Sequence, residues 1–118
     1  MRILVIGGGG REHAIIKKIK ENQLAQKIFA LPGNGGIAYD AVCVDICATD
    51  TENIVKFAKK ENIDFAVIAP DDPLVRGVSD ALRHENILCF GPTKMAAEIE
   101  GSKVFAKNLM KKYSIPTA

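Results

Sequence analysis

The stretch "VIGGGGREHA", residues 5–14, decides the fold, because it joins an apolar run to four glycines and then to the start of a helix. The run at residues 2–6 is continuous and apolar, as in a buried parallel strand. Residues 11–23 predict an amphipathic helix with lysines on its polar side. The residues expected on its apolar side are Ala14, Ile15, Ile16 and Ile19. Glycines at such a turn let backbone N–H groups approach a ligand, and the helix start adds partial positive charge, so we expect a site for a phosphate or carboxylate.

The composition indicates one small domain of an ordinary kind. A chain of 118 residues has the size of a single domain. Its formal charge of +2 lacks the basicity of a nucleic-acid binder, so nucleic acid is not an expected partner. The apolar run at residues 3–6 is far shorter than the roughly 20 residues of a spanning helix or the ~7 of a signal-peptide core. We therefore expect neither association with a membrane nor an export signal.

Strand and helix signals alternate along the rest of the chain. Further strands are predicted at residues 27–31, 41–46, 64–69 and 87–90, and further helices at residues 51–62 and from Pro73 onward. Thr49 and Glu52 have capping-box spacing before the first of these helices, and Pro73 suits the first position of the second. Two more helical segments follow residue 92. This alternation predicts an α/β fold with a Rossmann-like, doubly wound parallel sheet.

The three cysteines are an odd number in a chain without an export signal, which favours reduced thiols in a cytoplasmic protein. Cys43 and Cys47 have the even spacing that places both on one side of a strand. We expect both, and Cys89, to behave as small buried apolar residues.

Three loops that follow predicted strands are expected to converge. Their sequences are "GGGG" (residues 7–10), "PGNGG" (32–36) and "PDDP" (70–73). Ligands of doubly wound sheets bind at the carboxyl ends of the strands, near the switch in strand order. Asp71 is expected to face such a ligand and to accept hydrogen bonds from sugar hydroxyls or an amine. Asp72 is expected to cap the next helix or to face solvent.

The glycine loop leaves other interpretations open. Gly7 and Gly9 satisfy the first half of the dinucleotide motif G-x-G-x-x-G, but Glu12 stands where a small residue is needed. The acid expected after the second strand is missing, and the nearest one downstream is Asp40. A Walker loop fails because no Lys-Ser/Thr pair follows the glycines. A tight turn without a ligand remains an alternative. Residues 11–13 either reach a ligand at the helix start or act locally, as dipole partner, cap or solvent-facing side chain.

Four segments, in this order and spacing, closely resemble the amino-terminal part of the phosphoribosylamine-glycine ligase family, also called glycinamide ribonucleotide synthetase. They are "VIGGGGREHA", "LPGNGG", "IDFAVIAPDDPLVRGVSDAL" and "FGPTKMAAEIEGSKVFAKNLMKKYSIPTA". The resemblance runs over residues 1–118 and implies the pre-ATP-grasp domain of an ATP-grasp ligase of de novo purine biosynthesis. Such an enzyme uses ATP with magnesium or manganese to activate glycine as an acyl phosphate. The amine of 5-phosphoribosylamine then attacks, giving glycinamide ribonucleotide, ADP and phosphate.

The resemblance also implies roles for individual residues. It assigns substrate binding to the glycine loop and to "PGN", which are Gly8, Gly9, Gly10, Gly33 and Asn34. Asp71 matches an acidic position where the family commonly has Glu, one methylene longer. Lys103, in "GSK", matches a lysine expected near the phosphates of ATP. No catalytic residue and no metal ligand is expected in this chain.

The resemblance further implies a domain boundary. Residues 1–101 are expected to form the substrate domain, and residues 102–118 the start of the ATP-grasp portion. Because family members continue well beyond "IPTA", we expect an amino-terminal domain that is inactive without the remainder of its own chain. The alternatives are an NAD(P)-binding domain of an oxidoreductase and a non-enzymatic ligand-binding module.

Overall fold

The computed structural model describes residues 1–69 and 73–90. Its strands are β1 (Arg2–Gly7), β2 (Lys27–Pro32), β3 (Val42–Cys43), β4 (Phe65–Ile68) and β5 (Leu88–Phe90). Its helices are α1 (Gly10–Lys20), α2 (Thr51–Lys60) and α3 (Pro73–His84), and a 3-10 turn covers Ile37–Tyr39. The two helical segments predicted after residue 92 lie outside the described residues.

The strands form one parallel sheet in the order β3-β2-β1-β4-β5. Doubly wound sheets have this order, with the chain returning to the middle of the sheet after β3. The predicted α/β fold with a parallel sheet is therefore confirmed. The strand order reverses between β1 and β4, so the carboxyl ends of these two strands mark the expected place for a ligand.

The core lies on both faces of this sheet. Ile3 and Val5 of β1 pack with Ile16 and Ile19 of α1 on one face. The alternate residues of β1 point to the opposite face, because side chains of a strand alternate. There they pack against α2 and α3, whose buried residues include Ile54, Ala58, Val78 and Leu82. The strand is buried on both sides, which explains why its sequence is continuously apolar.

The first helix is shorter than predicted and presents a different face to the core. It ends at Lys20 rather than residue 23, and the N–H of Asn22 then bonds the carbonyl of Ile19 at 2.9 Å. Glu12, Ile16 and Ile19 are the buried residues of α1. The prediction that Ala14 lies on the buried side is wrong, because Glu12 takes the inward position in the first turn and leaves Ala14 exposed.

The third strand is much shorter than the predicted residues 41–46. The Val44 N–H still donates to the carbonyl of Ala30 at 3.0 Å, but the Ile46 N–H donates to the carbonyl of Val44 at 2.7 Å. This tight turn bends the chain away from the sheet. The prediction that Cys43 and Cys47 share one side of a strand is therefore wrong. Of the expected burials, Cys89 is buried, Cys43 is half-buried and Cys47 is exposed.

The cap of α2 is Asp50 rather than Thr49. The Asp50 carboxylate accepts from the backbone N–H of Asn53 at 3.4 Å and from its side-chain amide at 2.7 Å. The capping box predicted for Thr49 and Glu52 is wrong by one residue, and the Glu52 carboxylate instead pairs with Lys56 at 3.1 Å. The third helix begins at Pro73, as predicted.

Candidate functional site

The glycine loop and the loop after β2 are in direct contact. The Gly33 N–H donates to the carbonyl of Gly7 at 3.1 Å, and the Asn34 side-chain amide donates to the carbonyl of Gly8 at 2.6 Å. A Cβ on Gly8 would lie 2.6 Å from the Gly33 carbonyl oxygen, so the backbones approach more closely than any side chain allows. These two loops therefore converge as expected. Asp71 of the third loop, and Lys103, lie outside the described residues.

Asn34 holds the second loop in shape. Its side-chain oxygen accepts from the N–H of Ile37 at 2.8 Å, and its backbone carbonyl accepts from the N–H of Ala38 at 3.0 Å. The side chain therefore joins Gly8 to the 3-10 turn. An amide group has two N–H donors, so one remains for a ligand after the bond to Gly8.

Glu12 closes the underside of the glycine loop. Its side chain is 7% exposed, and its carboxylate accepts from the N–H of Gly9 at 3.1 Å. A Cβ on Gly7 would lie 2.7 Å from Cγ of Glu12, so the absence of a side chain at position 7 provides the room for this acid. A carboxylate in the first turn of a helix also interacts favourably with the helix dipole. Of the interpretations left open for Glu12, the structure supports the dipole partner.

The first N–H groups of α1 remain available to a ligand. Gly9 is the N-cap residue, and both it and Gly10 are exposed. The first N–H groups of a helix have no intrahelical acceptor. Among residues 1–69 and 73–90, the N–H groups of Gly10 and Arg11 have no hydrogen-bond partner, and no described atom lies within 4 Å of a Cβ placed on Gly10. Donors arranged in this way at a helix N-terminus attract an anion.

Arg11 adds a positive charge at the same edge of the sheet. Its Nη2 donates to the carbonyl of Ala69, the residue that follows β4. A guanidinium has five N–H donors, so this bond fixes the group without exhausting it. Arg11 therefore joins the start of α1 to the end of β4, where the strand order reverses.

Asp40 is the centre of a charge cluster that sequence reasoning missed. Its carboxylate lies 2.7 Å from Nε2 of His13, 3.2 Å from Nζ of Lys17 and 3.1 Å from Nζ of Lys20. The hydrogen bond from His13, followed by those from Lys20 and Lys17, holds the pKa of Asp40 well below its usual range. A sequence signal existed, because His13, Lys17 and Lys20 have the spacing of one helical face.

The part of the chain that the structure describes does not fit a metal ion. Within residues 1–69 and 73–90, no three or more His, Cys, Asp or Glu side chains are grouped so that they could hold one. No helix in these residues has the length and apolar character needed to cross a bilayer.

The strand order and the glycine loop between β1 and α1 define a Rossmann-like α/β domain, a class of fold whose ligands bind at the carboxyl edge of the sheet. The family model described as "Phosphoribosylglycinamide synthetase, N domain" matches residues 1–100. The chain belongs to this family, which confirms the resemblance drawn from its motifs. The alternative interpretation as an NAD(P)-binding oxidoreductase domain is therefore wrong.

Relatives are almost half identical to this chain over the part of their sequences that aligns with it. The phosphoribosylamine-glycine ligase of Lactococcus lactis subsp. lactis is 49% identical over 100% of this chain and 29% of its own length. The one from Rhodopirellula baltica is 46% identical over 98% of this chain and 26% of its own length. A crystal structure of phosphoribosylamine-glycine ligase from Thermotoga maritima is 32% identical, with a TM-score of 0.49, over 100% of this chain and 26% of its own. The chain thus spans 26% to 29% of the length of these relatives.

Proposed function

We propose that this chain supplies the sugar-phosphate site of an ATP-dependent ligase that joins glycine to 5-phosphoribosylamine in purine biosynthesis. The observation that carries the proposal is the exposed start of α1, where the N–H groups of Gly10 and Arg11 have no partner among the residues that the structure describes. Family membership and the names of the relatives support the choice of phosphoribosylamine among the possible anions.

The phosphate is held by main-chain donors in this proposal. The helix start offers aligned N–H groups and a partial positive charge, which suit a phosphate better than a neutral group. Glu12 already occupies the N–H of Gly9 from beneath, so the phosphate approaches from the open side of Gly10. Gly33 and Asn34 form the neighbouring wall, and Asp71 is proposed to accept from the substrate amine or a ribose hydroxyl.

The activation of glycine belongs to other parts of the whole enzyme. ATP with magnesium or manganese would activate the glycine carboxylate for attack by the amine. Lys103 is proposed to lie near the ATP phosphates, and the boundary between residues 1–101 and 102–118 is proposed to separate the two functions. For the residues of this domain we propose binding and orientation of the substrate.

A titration monitored by amide chemical shifts tests the proposal. Glycinamide ribonucleotide is added to the ¹⁵N-labelled chain, and the amides of Gly8, Gly9, Gly10 and Gly33 are expected to shift. Gly77, an exposed glycine on α3, serves as the internal control and should not move. Silent loop amides at saturating product would contradict the proposed site.

Arg11 offers a variant with a matched control. Both Arg11 and Arg83 donate through Nη2 to a backbone carbonyl, of Ala69 and Cys89 respectively, but Arg83 lies in the last turn of α3. Arg11→Gln is expected to weaken binding of glycinamide ribonucleotide about tenfold or more, because hydrogen bonds to charged groups contribute about 1.5–3 kcal/mol. Arg83→Gln should leave the affinity unchanged, and equal effects of the two variants would count against a phosphate beside α1.

A further inference from the structure

The ring of His13 is fixed on two sides in the first turns of α1. On one side its Nε2 lies 2.7 Å from the carboxylate of Asp40. On the other side it lies against Gly36, where a Cβ would be 3.4 Å from Cε1 and 3.5 Å from Nδ1 of the ring. The His13 side chain is 25% exposed, so part of this fixed ring remains accessible.

The contact with Asp40 determines which nitrogen is free. Asp40 receives donors from His13, Lys17 and Lys20, and these hold its pKa well below the usual range, so it is a carboxylate at neutral pH. Nε2 therefore carries the proton and donates a hydrogen bond to the Asp40 carboxylate. In the neutral ring this leaves Nδ1 as an acceptor, and no described residue forms a hydrogen bond with it.

His13 follows the proposed phosphate site on the same helix. His13 and Gly10 are three positions apart and so share a face of α1. The two backbone positions are offset by about 4.5 Å along the helix axis. Asn34 borders the same space, because a Cβ on Gly36 would lie 3.3 Å from its side-chain oxygen. A ligand whose phosphate meets Gly10 and Arg11 therefore presents a different group to His13.

We propose that His13 is a substrate-contacting residue whose Nδ1 accepts a hydrogen bond from a ribose hydroxyl, and that Asp40 is its positioning residue. This inference rests on the proposed function, because it requires a sugar phosphate at the start of α1. It gives the site a means of distinguishing a sugar phosphate from inorganic phosphate, which has no group to meet Nδ1.

Two substitutions at position 13 separate this role from a structural one. An asparagine places its amide where Nδ1 lies, and a glutamine reaches the position of Nε2 and can still bond Asp40. His13→Gln is expected to weaken binding of glycinamide ribonucleotide about three- to tenfold, the loss of one hydrogen bond, while His13→Asn retains most of the affinity. Binding of inorganic phosphate should be the same in both variants and in the unaltered chain.

Asp40 is tested through the same ligand. Asp40→Ala should weaken binding of glycinamide ribonucleotide less than His13→Gln does, because Nδ1 is still present although the ring is no longer held in place. Adding Asp40→Ala to His13→Gln should cause no further loss. Asp40→Asn retains an acceptor for Nε2 and is expected to restore the affinity. A mere structural role predicts the reverse order at position 13, with His13→Gln normal and His13→Asn impaired.

The nitrogen chemical shifts of the imidazole ring report contact of a ligand with His13 directly, in a chain whose position 13 is unaltered. The chain has two histidines, so His84→Asn, at an exposed site on α3, assigns the signals of His13. Glycinamide ribonucleotide is expected to shift the Nδ1 signal, and inorganic phosphate is not. If the loop amides shift while Nδ1 stays silent and His13→Gln binds normally, the role of His13 is wrong and the proposed function stands. If the loop amides are also silent, both are wrong.

Discussion

Gly8 is the residue at which the two loops approach most closely. An added methyl group would lie 2.6 Å from the carbonyl oxygen of Gly33, so Gly8→Ala must push the loops apart. Such overpacking costs about 1–3 kcal/mol of unfolding free energy. Gly10→Ala is the matched control, because the space beside Gly10 is open and the helical backbone suits alanine, with an expected gain of up to about 1 kcal/mol. Urea unfolding measures both, and equal stabilities would contradict the close contact.

Asp40 makes the stability of the protein depend on pH. Its pKa is lowered in the folded state by hydrogen bonds from His13, Lys20 and Lys17. In the unfolded chain the same carboxyl has an ordinary pKa of about 4. The unfolded state then binds more protons, so this contribution is present above about pH 4 and is lost as the pH falls below it. The stability difference between the unaltered chain and Asp40→Asn should therefore narrow on acidification. Asp45→Asn, at an exposed acid, is the control, and parallel pH curves for the Asp40 pair would contradict the prediction.

At the scale of elements, the start of α2 allows a test of which of two neighbouring residues, Thr49 or Asp50, caps the helix. Asp50 accepts the N–H of Asn53, whereas the Thr49 hydroxyl contacts Sγ of Cys47 at 3.3 Å. Asp50→Ala is expected to lower the unfolding free energy by about 0.5–2 kcal/mol, the usual cost of a lost cap. Thr49→Ala should cost less than about 0.5 kcal/mol, as exposed substitutions do. Thermal unfolding measures the stability of the two variants. A larger loss of stability for Thr49→Ala than for Asp50→Ala would favour Thr49 as the cap, as predicted from sequence.

The lengths of the elements show what a sequence reveals at this scale. Apolar runs and helical spacing are local, and they sufficed to predict that each described strand and α-helix exists, but not the 3-10 turn at Ile37–Tyr39. The end of β3 could not be predicted, because the bond between Ile46 and Val44 depends on the path of the loop. Three loops were expected to converge at the candidate site. The contact of Asn34 with Gly8 shows that the two glycine-bearing loops meet, and most of the third loop lies outside the described residues. The contact of His13 with Asp40 joins residues 27 positions apart and follows only from tertiary packing.

At the scale of the whole molecule, the domain is expected to bind without catalysing. The relatives are more than three times longer, since the chain spans 26% and 29% of two of them. We expect this chain to form no detectable glycinamide ribonucleotide from ATP, glycine and 5-phosphoribosylamine. The whole Lactococcus lactis ligase in the same assay is the positive control. Product formed by the 118-residue chain would contradict the prediction.

Gly7 and Glu12 depend on each other sterically. The carboxylate under the loop fits only because position 7 has no side chain, and the N–H of Gly9 is satisfied only because the carboxylate is there. Natural sequences that replace one of the two should therefore replace the other, and an alignment should show the two positions covarying. A designed protein that uses this turn to bind another anion would need both Gly7 and Glu12.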